Sequence, residues 1–415
     1  MIHEPDSVHA KTNGEAAGCP FHAAQAVHPT QKTANPTALR SDSRVTQDAN
    51  GVWQIHGFAE SRAVLRHEHT VQAGFGAERI SMMPDTMKTP VLYQEGEAHR
   101  DQRTKTARFF TPVTTDKKYR GFMQNYAKNL VAKLEQQGRA DLNELSMKLA
   151  VQVAAQVIGL TDSRVRGMDA RINAFFEPFS TATGLRKLLN ELQDQFTLAK
   201  FFFLDVQPAI RRRKRDPQED LISHLIAEDY GPIEILTECV TYGAAGMVTT
   251  REFICVAAWH FLESPALKET YLNAEEKERY QILHELLRLE PVVGTLMRRA
   301  TKDITLETEG ESVTIPAGEL IHLSVYSANE DEQAVGDTPL NVCPMRETAP
   351  KVQSYVMSFG DGNHRCPGAY VAIQETDIFL QELLKLDLTL ESGPALDWDE
   401  LTTGYELRKM VVTVQ

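Results

Sequence analysis

The chain has 415 residues, 42% hydrophobic and 24% charged, with no low-complexity block, so a packed globular core is expected rather than a disordered or fibrous chain. Its 44 Lys and Arg stand against 57 Asp and Glu, a formal charge of -13 that repels phosphate backbones and anionic bilayers and argues against nucleic-acid or membrane partners. The opening MIHEPDSVHAKTNGE has neither the basic nor the apolar region of a secretory leader, and no run reaches the ~18 apolar residues of a spanning helix, so a cytoplasmic protein is expected.

Residues 1–38 are polar, interrupted by Pro5, Pro20, Pro29 and Pro36, and lack hydrophobic periodicity, which predicts a flexible tail ahead of one domain over 39–415. Cys19 and His22 lie in this tail with no second ligand pair nearby, so neither is assigned a role. Five scattered cysteines, Cys19, Cys239, Cys255, Cys343 and Cys366, do not look like a disulfide framework. A strand signal at Val52 to Ile55 runs into a helical pattern at Ala59 to Leu65, and residues 95–290 read as mostly helical. Alternating apolar and polar residues return after 300, around turns at Glu309-Gly310 and Pro316-Ala317-Gly318. The order predicts a mainly α fold with small β-sheets (α+β), a single interwoven domain without internal repeats.

Along the helical stretch, His99 and Arg103 stand four apart and share a face. The segment from Pro232 to Pro265 predicts a helix of about 32 residues, roughly 48 Å long, with Gly243 and Gly246 removing side chains near its middle. Glu285 and Arg288, three apart, can pair on one helical face. The segment Phe359-Gly360-Asp361-Gly362-Asn363-His364-Arg365-Cys366-Pro367-Gly368 then leads into a helix whose apolar stripe includes Ala369, Ile373 and Leu380. Cys366 therefore sits at a helix N-terminus, where the partial positive charge and free amides favour a thiolate. Taken alone, the residue is equally readable as a small hydrophobe or, with His364, as half of a zinc site.

The loop over 359–368 resembles the haem-binding signature of the cytochrome P-450 family, Phe-Gly-x-Gly-x-His-x-Cys-x-Gly, at all six fixed positions. The resemblance implies the P-450 fold, a single triangular haem domain, and haem b with Cys366 as axial iron ligand. It implies that Phe359 packs beneath the macrocycle, that Gly368 closes the signature, and that His99, Arg103, Arg298 and His364 meet the haem propionates. Glu285 and Arg288 are similar to the family's Glu-x-x-Arg pair, with Arg346 its third member. Ala245-Gly246-Met247-Val248-Thr249-Thr250 resembles the oxygen-binding motif, in which Thr249 would order water beside bound dioxygen and Gly246 would leave it room. Pro367 cannot donate a backbone hydrogen bond to the sulfur, so more charge on sulfur and a lower reduction potential are expected.

Val248 stands where the motif has an acid, and valine cannot exchange a proton. A water chain, a substrate hydroxyl, or Glu252 one turn further along are the alternatives for a relay, with Glu252 as the expected catalytic partner of Thr249. The resemblance implies an oxidoreductase, a monooxygenase that activates dioxygen and oxidises a hydrophobic small molecule. No dinucleotide fingerprint is found, so electrons are expected from a ferredoxin or flavodoxin with its reductase, docking near Arg365. Met82, Met83, Met87, Phe175, Phe179, Val292, Val293 and Leu296 are expected to line an apolar pocket. A peroxide-driven haem oxidase and a haem-thiolate sensor or carrier remain as alternatives.

Overall fold

The computed structural model describes residues 31–33, 41, 43–77, 87–163, 167, 168, 171, 196–399 and 402–415. The helices that position the site are α1 (Phe58–Arg66), α2 (Gly96–Ala107), α3 (Arg120–Gln137), α4 (Leu142–Ile158), α5 (Gln207–Arg215), α6 (Leu221–Ala227), α7 (Pro232–Glu263), α8 (Pro265–Asn273), α9 (Glu276–Leu289) and α10 (Ala369–Leu383). The strands are β1 (Val45–Gln47), β2 (Trp53–Ile55), β3 (Thr70–Ala73), β4 (Arg139–Asp141), β5 (Thr295–Ala300), β6 (Ile304–Thr308), β7 (Glu311–Ile315), β8 (Leu320–Ser324), β9 (Leu388–Ser392), β10 (Ala395–Asp399), β11 (Gly404–Arg408) and β12 (Val411–Val414). This is the expected mainly α fold with small sheets.

Local chemistry fixes the helix ends. Helix α4 starts where Asp141 accepts the Asn143 N–H at 2.9 Å and ends at Gly159, whose φ of +96° suits a residue without Cβ. Helix α7 opens with Pro232 in its first turn, while Glu234 reaches back to the Gly231 N–H at 2.6 Å. It stops at Ser264, because Pro265 cannot continue the hydrogen-bond ladder and instead opens α8. The intervening 32 residues form one continuous helix, as expected, packed along α4, with Ile254, Val256, Ala257 and Phe261 buried in the main apolar core.

The largest sheet has the order β1-β2-β8-β5-β3, with β2 and β8 parallel. The β6–β7 hairpin turns on Glu309 and Gly310, at φ +52° and +84°, pairing Thr308 with Glu311. A three-stranded sheet, β4-β12-β9, brings the chain end back to α3 and α4. Such non-local pairing leaves little trace in the short strands themselves.

Two expectations are corrected. The tail boundary at 38 is too late, because residues 31–33 are built into the body: the Thr33 and Lys32 N–H groups donate to Glu290 at 2.9 and 2.6 Å, and Thr33 is fully buried. The cysteines are not all free thiols, since Cys343 is disulfide-bonded, whereas Cys239, Cys255 and Cys366 are free. Cys19 and His22 lie outside the described residues.

Candidate functional site

The cysteine loop is shaped by backbone contacts. Gly360 and Gly362 both adopt φ +67°, and a Cβ on Gly362 would come within 2.2 Å of the Leu65 carbonyl at the end of α1. Asp361 accepts hydrogen bonds from Arg66 at 2.8 and 3.1 Å, tying the loop to the same helix. The Cys366 N–H donates to the Phe359 carbonyl at 2.8 Å, which folds the loop back before α10 begins. Phe359 packs edge-on against Tyr355, ring centroids 4.9 Å apart.

Cys366 itself keeps exposed surface, yet the protein crowding around it still desolvates the sulfur and pushes its thiol above the ordinary value. The Gly368 N–H and the charges of Arg103 and Arg365 oppose that shift by favouring thiolate. A backbone donor for the sulfur therefore exists, two residues on instead of at Pro367. The expectation of a donor-poor sulfur is corrected to that extent.

Two distant segments, α2 and β5, converge on the cysteine loop. His99 on α2 is buried and stacks on His364, centroids 4.1 Å apart. Arg103, one turn on, donates through Nη2 to the Arg365 carbonyl. Arg298 on β5 is buried, donating to Gln72 Oε1 at 2.7 Å and to the Met297 carbonyl at 2.8 Å. No carboxylate forms an ion pair with it among the described residues, and burial lowers its pKa to about 10. Burial, with repulsion from His364 and Arg103, lowers His99 to about 4, so without an anion beside it this ring is neutral.

Glu95 is a member the sequence reading missed. Its carboxylate accepts from Gln72 N–H at 2.6 Å and lies 3.2 Å from His364 Nε2. Burial alone would raise its pKa, but these hydrogen bonds hold it below the usual carboxylate range. The spacing of four between Glu95 and His99 was the available signal.

Behind the loop, Glu285 and Arg288 form the paired face on α9. Arg288, fully buried, donates Nε and Nη2 to the two Glu285 oxygens, each at 2.8 Å. Arg346 Nε reaches Glu285 Oε1 at 2.9 Å, and the Cys343 N–H reaches the same oxygen at 3.0 Å. Arg288 Nη1 also donates to the Asn329 carbonyl at 2.9 Å, while Asn329 Oδ1 accepts Met357 N–H at 2.8 Å, two residues before Phe359. The triad thus joins α9 to the segment that enters the cysteine loop.

On α7, the Thr249 hydroxyl donates to the Ala245 carbonyl at 2.6 Å, which leaves its oxygen lone pairs to accept from outside the helix. Ala245 is exposed, an interruption in a largely buried helix. A Cβ added to Gly246 would meet Ala154 of α4 at 3.9 Å, an ordinary contact, so the space reserved for dioxygen is not evident at this glycine. Glu252 is placed elsewhere: buried, it pairs with Arg251 and with Arg408 Nη1 at 2.7 Å, and accepts Leu407 N–H at 2.8 Å. Its charge is committed to holding β11 against α7, which corrects its assignment as a proton relay.

Two other buried carboxyls went unnoticed in the sequence. Glu238 sits near the start of α7, and Glu375 sits on α10 with the Thr250 hydroxyl acting on its carboxyl and no partner at Oε2. Burial raises the Glu375 pKa well above the ordinary value, which favours the protonated form.

Of the expected pocket residues, Val292 is buried and Leu296 faces the cysteine loop, its Cδ1 lying 3.7 Å from where a Gly360 Cβ would stand. Val293 and Met87 are half-buried. Gly294 N–H bonds the Thr402 carbonyl at 3.0 Å, which places the 292–296 segment beside the C-terminal turn. Met82, Met83, Phe175 and Phe179 lie outside the described residues.

The donor set fits a haem. A planar dicarboxylate with iron requires a thiolate at an accessible helix start and donors for two carboxylates, met here by Cys366 and by Arg298, Arg103, His99 and His364. A nearly buried guanidinium without a carboxylate partner is costly unless an anion reaches it.

Comparisons with known proteins point the same way. The Cytochrome P-450 family model matches residues 280–390. The chain is 29% identical over 364 residues to erythromycin C-12 hydroxylase of Saccharopolyspora erythraea, covering 83% of this chain and 84% of that one. It is 25% identical over 343 residues to the biotin biosynthesis cytochrome P-450 of Bacillus subtilis, covering 80% and 82%. A crystal structure of P-450 BioI with a ligated acyl carrier protein superposes with TM-score 0.72 at 23% identity, covering 90% of this chain and 95% of that one.

Proposed function

We propose that the chain is a monooxygenase of the cytochrome P-450 family that holds its haem through Cys366 and oxidises a hydrophobic small molecule with electrons from a separate ferredoxin or flavodoxin system. The observation that carries this reading is the juxtaposition of Cys366, exposed just before α10, with His99 and Arg103 of α2, Arg298 of β5 and His364 of its own loop. Bound there, the haem supplies reductive activation of dioxygen and insertion of one of its oxygen atoms into substrate.

The protein's own part is to hold and orient. Gly368 N–H and the nearby arginines favour sulfur as thiolate. Arg298 and Arg103 supply positive charge for the two propionates, while His99 supplies a ring N–H donor. Thr249 accepts a hydrogen bond from water on the open side of α7, its own proton being directed to the Ala245 carbonyl. With Val248 inert and Glu252 bound to arginines, proton supply runs through ordered water and not through an acid next to Thr249.

Val292, Val293 and Leu296 support an apolar wall, and the relation to an erythromycin hydroxylase supports a bulky hydrophobic substrate. Exposed Arg365 supports an acidic electron donor docking near the cysteine loop. Among the described residues no helix is long and apolar enough to cross a membrane.

The deciding experiment is the carbon monoxide spectrum of the reduced protein, wild type against Cys366→Ser. A strongly red-shifted Soret band lost in the variant is expected; an unshifted band in the wild type overturns the thiolate assignment. The absence of an acid at 248 favours peroxide use as a second reading. Turnover with a surrogate ferredoxin and reductase, compared with peroxide alone, separates the two.

A further inference from the structure

Glu238 lies in the second turn of α7 and is 1% exposed, yet among the described residues it has no cation beside it. One carboxyl oxygen, Oε1, accepts two donors from the segment that carries His99 and Arg103. These are the Val91 N–H at 3.0 Å and Gln102 Nε2 at 2.9 Å, with Gln102 immediately before Arg103 on α2. The Tyr230 hydroxyl donates to Gln102 Oε1 at 3.0 Å, closing the arrangement from the other side. The second carboxyl oxygen, Oε2, has no partner.

We propose that Glu238 is a positioning residue for the haem-propionate pair: its carboxyl clasps the 91–107 segment to α7, and the charge on that clasp sets how firmly His99 and Arg103 are held. The inference rests on the proposed role of His99 and Arg103 as propionate partners.

The physical basis is a balance between two opposed effects. A carboxylate strengthens both hydrogen bonds, since a charged acceptor bonds about twice as strongly as a neutral one. Burial disfavours that charge, and Oε2 has nothing to receive it. Burial pushes Glu238 to about 7, with the Gln102 and Val91 hydrogen bonds opposing the shift. The titratable groups packed near it do not obscure the transition. Tyr242 and Cys239 on α7 and Tyr230 before it are all raised by burial and stay uncharged. Glu234, one turn earlier, is bonded to the Gly231 and Lys88 N–H groups. On α2, Lys105 pairs with Asp101 and Glu228. Closing the clasp raises the carboxyl's pKa, so the closed form binds the proton more tightly than an opened, solvated one; the clasp is firmest below about pH 7 and loosens as pH rises through it.

The test combines amide hydrogen exchange over residues 91–107 with haem transfer to apomyoglobin, each measured across neutral pH for wild type, Glu238→Gln and Gln102→Met. In the wild type, exchange corrected for base catalysis should quicken several-fold as pH rises through the Glu238 transition, and haem loss should follow the same curve. Glu238→Gln, nearly isosteric and always neutral, should flatten both curves. Gln102→Met, which removes one bond to the charged form, should move the midpoint to higher pH. A Glu238→Gln protein with the wild-type pH dependence overturns the clasp. Exchange that titrates while haem loss does not removes the link to the propionate pair. Failure of the haem-thiolate reading appears separately, as a wild type without the red-shifted carbon monoxide band, and the exchange measurement is then read on the apoprotein.

Discussion

His99 and His364 stack with ring centroids 4.1 Å apart and planes inclined by 22°, although 265 residues of chain separate them. The contact joins α2 to the cysteine loop. It also explains why only one ring is anchored to a carboxylate: His364 reaches Glu95, while His99 is buried and repelled by His364 and Arg103.

The first prediction concerns that buried ring. His99 titrates at about 4 in the folded protein, below its ordinary 6.5, so the unfolded chain binds a proton that the folded chain refuses. Its contribution is fully present above 6.5 and is lost as pH falls through about 4. Urea unfolding of wild type and His99→Gln across this window should show the variant losing less stability on acidification. Parallel curves would contradict a depressed His99.

The second prediction is stability at the triad. Removing one member of a buried ion pair leaves the other uncompensated, at a cost of about 3–5 kcal/mol. Glu285→Ala strands Arg288, which is fully buried, as well as Arg346 Nε and the Cys343 N–H. Denaturant unfolding should show a loss in that range. The double variant Glu285→Ala with Arg288→Ala should cost clearly less than the two single losses added, because each single change already breaks the same bonds.

The third prediction is that Glu375 destabilises the fold as pH rises. Its folded pKa is raised, so the stability it contributes is present below the unfolded carboxyl value and lost as pH climbs towards the folded one. Glu375→Gln removes that slope while keeping the shape. Melting temperatures should favour the variant more at alkaline than at acid pH. An advantage independent of pH points to packing instead.

The parts of this architecture legible in the sequence are those written in contiguous residues. The long α7 followed from Pro232 and Pro265, the β6–β7 turn from Glu309-Gly310, and the cysteine loop from Gly360, Gly362 and Pro367 around Cys366. What sequence could not carry was the partner of each charge. Glu252 and Thr249 lie three apart on one helix, so spacing allowed a shared task; only the return of β11 shows that Arg408 and Leu407 N–H occupy Glu252. Residues 31–33 look like tail until Glu290 and His260, both buried, are seen facing them. Glu238 and Glu375 resemble ordinary helical carboxylates in the linear chain, and burial alone makes them weak acids.

The last prediction separates the two roles open to Glu252. Its carboxylate is shared by Arg251, itself buried, and by Arg408. Neutralising it removes the carboxylate's charge from both the Arg251 and Arg408 pairs, so Glu252→Gln should lower the unfolding free energy by an amount on the order of 3 kcal/mol. Both of its oxygens are engaged by Arg251, Arg408 and the Leu407 N–H, which turns the group to β11 and not to water near Thr249. The fraction of electrons recovered as product, measured with a surrogate redox partner, should therefore equal that of the wild type. A drop in that fraction with no loss of stability would restore Glu252 to the relay, and would mean that its bonds to Arg408 and Leu407 are weaker than the geometry indicates.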